Sequence, residues 1–292
     1  MPVLKIGLPS GSLQESTLGL FKRAGYRVRN TSRSYMPSFD DPELEGLFLR
    51  AQEMAHYVER GVLDVGLTGK DWILENEADI VEIAELPFSR STSRAAHWVI
   101  AVPEDSDIQN VEDLAGKRIA TELVKATTAF LAERGVEAEV EFSWGSTEAK
   151  VLVPGMVDAI AEITETGSSL RANKLRIIET MFTSTPRFIA NKDSWEDPWK
   201  RDKAQSISTL LVGAFQAEDK VGLKMNVRRN DLNNVVTLLP ALNNPTISNL
   251  LDDEWMAIEV VIDEGVVREI IPQLKKLGAE GIIEYPLNKV IY

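Results

Sequence analysis

The stretch VLKIGLPSGSLQESTLGLFKRAG, residues 3–25, decides the fold of the first part of the chain. Residues 3–8 form an apolar run typical of a buried strand, and residues 14–24 show helical spacing that Gly25 closes. A strand, a short loop and a helix in this order form the unit from which parallel α/β sheets are built. The same order continues in RAQEMAHYVERG (50–61), VLDVGL (62–67) and KDWILEN (70–76).

A second set of alternating elements begins at residue 97. Its predicted strands and helices are HWVIAVP (97–103), a helix near 111–115, KRIAT (117–121), KATTAFLAERG (125–135), AEVEFSW (138–144) and VDAIAEI (157–163). After it come the strands RIIETMF (176–182) and RFIAN (187–191), then a predicted helix from Ser194 to Gln216. Because strand–helix–strand crossovers pack back onto their own sheet, we expect these last elements to return to the first set.

The predicted fold class is α/β, with two lobes of the periplasmic-binding-protein type around a cleft. Lobe I takes residues 1–95 and 182–212, and lobe II takes residues 96–181. Ligands of such sheets bind beyond the carboxyl ends of the strands, so we expect a site in the cleft.

The last part of the chain, residues 213–292, has a different pattern. The order strand, helix, two strands, helix, strand predicts a ferredoxin-like (βαββαβ) domain. In its second helix Val266, Ile270, Leu274 and Leu277 share one stripe, which predicts the face that packs on the sheet.

Composition limits the partners of this chain. The 292 residues carry a formal net charge of -13, and no run of lysine or arginine reverses it locally, so we expect no nucleic acid and no membrane as partner. The start, MPVLKIGLPSGS, enters a strand without a signal-peptide pattern, which favours a cytoplasmic protein. With no cysteine and two histidines, a metal would be a hard cation held by oxygen, Mg²⁺ first.

The segment GMVDAIAEITETGSSLRAN, residues 155–173, is the most informative for function. An apolar strand leads into a turn in which Thr166, Gly167, Ser168 and Ser169 offer backbone N–H groups and hydroxyls. Such a turn before a helix can hold a phosphate without lysine. The alternative is a polar loop with a capping serine, and spacing alone leaves both open.

Two acids, Asp158 and Glu162, lie four residues apart on the strand before this turn. Strand alternation puts them on one face, leading toward the turn. Paired acids beside a phosphate loop suit ribose hydroxyls or Mg²⁺.

The run DAIAEITETGSSL (158–170) resembles the phosphoribosyl pyrophosphate (PRPP) motif of the ATP phosphoribosyltransferases. Other stretches are similar to the same family in the same order: KIGLPSGSLQEST, DVGLTGKDWILE and ATELVKATTAFLAERGVEAEVEFSWGSTEAKV. The resemblance covers about the first 210 residues, and the ferredoxin-like tail with ALNNPTIS resembles the regulatory domain of the long form of the family.

This resemblance implies a transfer of the 5-phosphoribosyl group from PRPP to N1 of ATP, with release of pyrophosphate, at the first step of histidine biosynthesis. It implies that residues 166–169 hold the 5-phosphate and that Asp158 and Glu162 attend the ribose or its Mg²⁺. On the nucleotide or pyrophosphate side it places Ser10, Gly11, Ser12, Leu13, Asp71 and Glu148. No residue is needed as acid, base or nucleophile, because N1 of adenine already has a lone pair.

The chain departs from the family at Ser10, where other members often carry lysine. Serine supplies no positive charge, so Lys70 and Lys150 are candidates to replace it. A structural interpretation also exists for this loop, because Ser12 and Glu15 have the spacing of a capping box.

For the tail, the resemblance implies feedback inhibition by histidine, bound between copies in a homohexamer assembled from dimers. Asn226, Thr246 and Ser248 are the expected contacts, although each is also a typical turn or cap residue. Two other functions stay open: a two-lobed solute-binding protein without catalysis, and a phosphoribosyltransferase for another base.

Overall fold

The structure is a computed structural model that describes residues 1–29, 34–86, 96–240 and 244–292. The chain forms two compact units. The larger unit comprises Met1–Lys22 and Tyr26–Ser208, and the smaller unit comprises Arg23–Gly25 and Thr209–Tyr292.

The first sheet of the larger unit has seven strands in the order β2-β3-β4-β1-β5-β12-β6. We call this sheet and its helices lobe I. Its strands are β1 (Leu4–Ser10), β2 (Val28–Arg29), β3 (Ser38–Phe39), β4 (Leu44–Arg50), β5 (Val65–Gly69), β6 (Val81–Glu85) and β12 (Pro186–Ala190), and its helices are α1 (Gln14–Ala24), α2 (Ala51–Glu59) and α3 (Lys70–Asn76). β1 runs parallel to both β4 and β5, as predicted for a strand–loop–helix repeat.

The second sheet has five strands in the order β11-β7-β10-β8-β9, and we call it and its helices lobe II. The strands are β7 (Ala96–Pro103), β8 (Arg118–Thr121), β9 (Glu139–Phe142), β10 (Ala159–Thr164) and β11 (Leu175–Ser184), and the helices are α4 (Val124–Ala132), α5 (Thr147–Val151) and α6 (Ser168–Ala172). The predicted helix near 111–115 is a single 3₁₀ turn, Glu112–Leu114. β8 is parallel to β10, so their carboxyl ends meet at one edge.

Helix α2 packs closely on the sheet of lobe I, and this packing fixes where the helix begins. A Cβ built on Gly7 of β1 would lie 2.2 Å from the Met54 sulfur, and one on Gly66 of β5 would lie 2.8 Å from the same atom. Only glycine at these positions lets the helix approach the sheet so closely. The start of α2, at Ala51, is thereby held at the carboxyl end of the sheet.

The predicted helix from Ser194 to Gln216 is two helices, α7 (Lys192–Glu196) and α8 (Pro198–Gln216). Asp197 is extended, with φ of -70° and ψ of 116°. The helical conformation is disfavoured at the residue before a proline, because the proline ring clashes with that residue's backbone. Proline itself fits the first turn of a new helix. The break therefore follows from Pro198.

The smaller unit contains a four-stranded sheet in the order β14-β15-β13-β16, which is the ferredoxin-like order that the sequence predicts. Its elements are β13 (Lys220–Arg228), α9 (Leu232–Leu238), β14 (Thr246–Asn249), β15 (Trp255–Asp263), α10 (Glu264–Lys276) and β16 (Glu280–Pro286). The run NDLNNVVTLLPAL (230–242) has a helical pattern, but α9 ends at Leu238, and residues 241–242 lie outside the described residues.

The buried stripe of α10 consists of Val267, Ile270 and Leu274. Val266 is 36% exposed, so its predicted place in this stripe was wrong by one residue. In the described ranges, no helix is long and apolar enough to cross a membrane.

Candidate active site between lobes I and II

A cavity of about 790 Å³ lies where the carboxyl ends of the parallel strands of both lobes meet. β1, β4 and β5 end at it from lobe I, and β8 and β10 end at it from lobe II. Its described lining consists of Ser10, Ser12, Leu13, Arg50, Ala51, Gln52, Gly69, Asp71, Trp72, Ala96, Trp98, Glu122, Glu162, Ile163, Thr164, Glu165, Thr166, Ser168, Ser169, Ser184 and Pro186. The cavity therefore lies at the carboxyl ends of the strands, where the sequence analysis expects a ligand site.

The lining is rich in hydroxyls and carboxylates. Asp71, Glu122, Glu162 and Glu165 supply four carboxyl groups, whereas Arg50 is the only lysine or arginine among the described lining residues. An anion that enters must therefore bind through hydroxyls, backbone N–H groups, this one arginine or a metal ion that accompanies it.

The predicted phosphate loop lies at the cavity. Gly167 has φ of 70°, and its N–H donates to Thr164 Oγ1 at 2.8 Å, which tightens the turn before α6. The left-handed conformation explains why glycine stands there. Thr166 and Ser168 line the cavity, and the Thr166 hydroxyl donates to Ser168 Oγ at 3.0 Å.

Glu148 does not line the cavity but contacts this loop. Ser169 Oγ donates to Glu148 Oε1 at 2.8 Å, and Glu148 lies in the first turn of α5. Ser169 itself faces the cavity. The predicted residue Glu148 is therefore a support for the loop rather than part of the lining.

The two strand acids are at opposite ends of β10. Glu162 lines the cavity, and its Oε1 accepts from the N–H of Ile163 at 3.0 Å. Asp158 precedes the strand, and its Oδ2 accepts from the N–H of Arg118 at 2.9 Å, away from the lining. The structure therefore does not bring Asp158 to the loop, and of the two acids only Glu162 lines the cavity.

Burial raises the pKa of the Glu162 carboxyl group. Its pKa is raised from 4.5 to about 7, chiefly by loss of solvation, with smaller contributions from the charges of Glu148 and Glu122. Hydrogen bonds from the Ile163 N–H and from Thr147 oppose this change. Near neutral pH the carboxyl group is therefore poised between its two protonation states.

Asp71 is 4% exposed and faces the cavity from the first turn of α3. Its Oδ1 accepts from the N–H of Trp72 at 2.9 Å, and its Oδ2 accepts from Trp98 Nε1 at 3.0 Å. Burial raises its pKa, and these hydrogen bonds act in the opposite direction. The sequence analysis names Asp71 as a candidate, but neither of the two tryptophans that donate to it.

Glu122, directly after β8, was missed by the sequence analysis. It lines the cavity, and burial together with the charge of Asp71 raises its pKa. The signal was available, because an acid that follows an apolar strand lies at a carboxyl end.

The first loop carries Ser10, Ser12 and Leu13 at the cavity, and Gly11, with φ of 83°, forms its turn. The described hydrogen bonds include none between Ser12 and Glu15, so the capping box is not formed.

The cation next to this loop is Arg50. It ends β4, and the register of β1 and β4 pairs it with Ser10. Its Nη1 lies 3.5 Å from a Cβ built on Gly11. The positive charge absent at Ser10 is therefore present on the neighbouring strand.

Neither predicted lysine is part of the cavity lining. Lys70 pairs with Glu82, and Lys150 donates to Ser143 Oγ at 2.7 Å. Among the described lining residues, Arg50 is instead the basic side chain at the cavity.

In the smaller unit, the three predicted histidine contacts share the sheet face opposite α9 and α10. Asn226 on β13 and Ser248 on β14 both pair with Ala257 of β15 from its two sides, and Thr246 pairs with Glu259. Paired residues of antiparallel strands point to the same face. The small side chain of Ala257 leaves room between Asn226 and Ser248.

Two family models match the chain. The ATP phosphoribosyltransferase model matches residues 50–213, and the model described as HisG, C-terminal domain, matches residues 217–289. The first match ends at residue 213 and the second begins at residue 217.

Curated relatives match over nearly the full length. The ATP phosphoribosyltransferase of Chlorobium luteolum is 57% identical over 99% of this chain and 98% of its own length, and that of Thermodesulfovibrio yellowstonii is 58% identical over the same shares. Among solved structures, the ATP phosphoribosyl transferase (HisG:HisZ) complex from Thermotoga maritima matches with a TM-score of 0.62 and 26% identity, covering 72% of this chain and 96% of that chain.

Enzymes of this family use ATP and PRPP as substrates and need a divalent metal ion. This identity excludes a solute-binding protein and a transferase for another base. The chain belongs to the ATP phosphoribosyltransferases, the pentosyltransferases that transfer the phosphoribosyl group of PRPP to N1 of ATP in the first step of histidine biosynthesis.

Proposed function

We propose that the cavity between lobes I and II holds both substrates during this transfer, with the 5-phosphate of PRPP at residues 166–169. The hydroxyls of Thr166, Ser168 and Ser169 at the lining are the observation that carries the proposal. Hydroxyl and backbone donors can bind a phosphate where a lysine is absent. The turn at Gly167 gives the ligand close access to the backbone.

The ribose of PRPP would lie next to Glu162, which reaches the cavity just before this loop. Its carboxylate can accept hydrogen bonds from ribose hydroxyls. In this structure the Ser169 hydroxyl donates to Glu148 Oε1 at 2.8 Å, so its single proton would turn from Glu148 to the phosphate when PRPP binds.

The reaction itself is a displacement at the anomeric carbon. N1 of adenine forms the new bond with its own lone pair, and the bond to pyrophosphate breaks. Because no proton must be removed from N1, the site needs no activated side chain. Its task is to hold two reactants in line and to stabilise charge on the leaving group.

Arg50 is the residue that we assign to the leaving pyrophosphate. A guanidinium can bind phosphate oxygens through two donors, and its charge persists at all relevant pH values. Its place beside Ser10 agrees with the loop that the sequence resemblance assigns to this side.

The divalent metal is Mg²⁺ in this proposal, and it enters with the substrate phosphates. Among the described residues, no group of three histidine, cysteine, aspartate or glutamate side chains could hold a metal alone. The cavity carboxylates are nevertheless the oxygen ligands that Mg²⁺ prefers, and Glu162 would complete its coordination. Bound Mg²⁺ would neutralise charge on the pyrophosphate.

Asp71 and Glu122 would face the acceptor. Alkylation of N1 places positive charge on the adenine amidine, and carboxylates at the opposite wall would stabilise that charge. Ser12 and Leu13 lie at the same side of the cavity.

The site assignment is tested by binding PRPP with Mg²⁺ to the full chain and to variants of the loop. We expect Thr166→Ala and Ser169→Ala each to raise the KM for PRPP about tenfold, as for a lost hydrogen bond to a charged group, with a smaller effect on the KM for ATP. The matched control is Thr128→Ala on α4, whose hydroxyl donates to Val124 O outside the lining. Unchanged PRPP kinetics in both loop variants would remove residues 166–169 from the donor site.

For the tail we propose that residues 213–292 form a regulatory domain that binds histidine. On the open sheet face, Asn226, Thr246 and Ser248 supply polar groups, and Glu259 supplies a carboxylate for an ammonium group. Arg228, which lies 5.0 Å over the Trp255 ring, could bind the carboxylate of the ligand.

This assignment predicts that Asn226→Ala and Ser248→Ala raise the histidine concentration for half-inhibition at least tenfold without changing the uninhibited rate. Lys276→Ala at the end of α10, on the helix side of the sheet, is the control. Equal histidine sensitivity in all three variants would contradict the site.

We further propose a homohexamer assembled from dimers and a cytoplasmic location, where ATP and PRPP are available. Analytical ultracentrifugation of the full chain tests the assembly, and a stable monomer at working concentration would contradict it.

A further inference from the structure

Trp98 is a buried residue of the cavity wall. It is 2% exposed, and it packs in a cluster with Leu123 and Ala126, against which Trp72, Met181 and Phe182 also lie. Packing on this scale fixes the indole ring in one orientation. The direction of its N–H group is therefore fixed as well.

That N–H points at a carboxylate. Trp98 Nε1 donates to Asp71 Oδ2 at 3.0 Å, while Asp71 Oδ1 accepts from the N–H of Trp72 at 2.9 Å. The backbone N–H of Asp71 donates to Ser184 Oγ at 3.1 Å. An indole N–H has no acceptor function, so the carboxylate is its natural partner, and both groups would be unsatisfied if they separated.

This arrangement is possible because residue 69 is glycine, which has no side chain. A Cβ built on Gly69 would lie 2.0 Å from Asp71 Oδ1. The carboxylate therefore folds back over the end of β5, into space that any other residue would fill. The position of Asp71 depends on contacts that reach it from several elements.

The hydrogen bond also crosses from one lobe to the other. Asp71 belongs to α3 of lobe I, and Trp98 belongs to β7 of lobe II. Nearby, Glu75 of α3 accepts from the N–H groups of Lys125 and Ala126, at 3.2 and 3.0 Å, in the first turn of α4. Glu75 is absent from the cavity lining, whereas both partners of the tryptophan bond belong to it.

We infer that Trp98 is a positioning residue for phosphoribosyl transfer: its indole N–H holds the Asp71 carboxylate at the acceptor side of the cavity when the two lobes are together. The inference rests on the proposed assignment of Asp71 to the acceptor side. Trp98 acts through Asp71 and needs no contact with a substrate.

The test is a double-mutant cycle with Trp98→Phe and Asp71→Asn in the full chain. Phenylalanine keeps a ring in the cluster and removes the N–H donor. We expect W98F to lower kcat about tenfold, which corresponds to about 1.4 kcal/mol, with the KM for PRPP changed less than about twofold. In the D71N background, W98F should have little further effect, since coupled residues are not additive.

Each outcome of this cycle either supports or overturns the role of Trp98. Normal kcat in W98F together with impaired D71N would overturn the inference and leave the Asp71 assignment intact. Normal kcat in D71N would overturn the assignment itself. Additive losses would also overturn the inference, because Trp98 would then act by another route.

A spectroscopic measurement separates positioning from simple packing. In protein labelled with ¹⁵N-tryptophan, one indole N–H resonance should be lost in W98F and shifted in D71N, and Trp195→Phe on α7 should leave that resonance and the kinetics unchanged. If D71N leaves every indole resonance in place, the hydrogen bond does not exist in solution, and the inference fails.

Discussion

Glu162 should make the enzyme less stable at alkaline pH, and Glu162→Gln should remove this cost. Burial raises the pKa of this carboxyl group to about 7, against 4.5 ordinarily. Between these two values the native state keeps a proton that the unfolded chain has released. Because the native state then binds more protons, its free energy of unfolding falls as pH rises through this window.

The magnitude follows from the two pKa values. The difference between 4.5 and about 7 corresponds to about 3.4 kcal/mol, at about 1.36 kcal/mol per pKa unit. Water in the cavity screens part of this, so we expect glutamine to stabilise the native state by about 1 to 3 kcal/mol at pH 8.5 and by nearly nothing below pH 4.5. Glutamine Oε1 can still accept from the Ile163 N–H.

Thermal unfolding of wild type and variant from pH 4 to pH 9, at one protein concentration, measures the effect. For a unit of this size, the expected gain is roughly 3 to 10 °C in Tm at alkaline pH. Groups common to both proteins cancel in the difference, which isolates Glu162. If the two curves of Tm against pH run parallel, the carboxyl group does not titrate as burial requires, and the reasoning is wrong.

Four further substitutions test separate features. Arg50→Ala should lower kcat about 10²-fold in steady-state assays, because the charge on the leaving pyrophosphate is no longer stabilised, and Arg50→Lys should restore part of the rate. If both variants are as active as the wild type, Arg50 does not have this role. Asp158→Asn should lower stability in urea unfolding by about 1 kcal/mol and leave the KM for PRPP unchanged, whereas a raised KM would return Asp158 to the site. Gly167→Val should raise that KM strongly and cost about 1 to 2 kcal/mol of stability for its φ of 70°, and normal PRPP kinetics would count against the loop. Gly222→Ala, whose Cβ would lie 2.2 Å from the Tyr285 ring, should lower the stability of the C-terminal unit by about 1 to 3 kcal/mol in urea unfolding, while no change would show that the ring moves freely.

The sequence predicts β1, β5, β7 and β12, where the apolar runs and glycine stops are clear, but it predicts no strand at β2, β3, β4 or β6. The strand over residues 176–182, expected to return to the first set, lies in the second sheet as β11. The helix predicted over residues 14–24 is α1 in the structure, and the strand predicted from residue 97 is β7. Errors occur where two adjacent residues are equally apolar, as with Val266 and Val267, because a rotation of about 100° around the helix axis decides which of them is buried. The break between α7 and α8 is a local effect, because Pro198 conflicts with a continuous helix.

For the site residues, alternation along a strand predicts which face of the sheet a side chain lies on, but not which end of the strand it lies at. Asp158 and Glu162 share a face, but four residues at about 3.3 Å each separate them by roughly 13 Å. Arg50 could not be identified without the register of β1 and β4, which pairs it with Ser10. Lys70 and Lys150 are close in sequence to the predicted residues Asp71 and Glu148, but the folded chain directs them to Glu82 and Ser143.

The acidic lining has a consequence for how fast substrates arrive. ATP and PRPP are polyanions, the protein carries a net charge of -13, and four carboxyl groups face one arginine in the described lining. Encounter therefore proceeds against an opposing field, and dissolved salt, which shortens the range of that field, should accelerate it. Enzymes that attract anions with a positive funnel slow down under the same conditions.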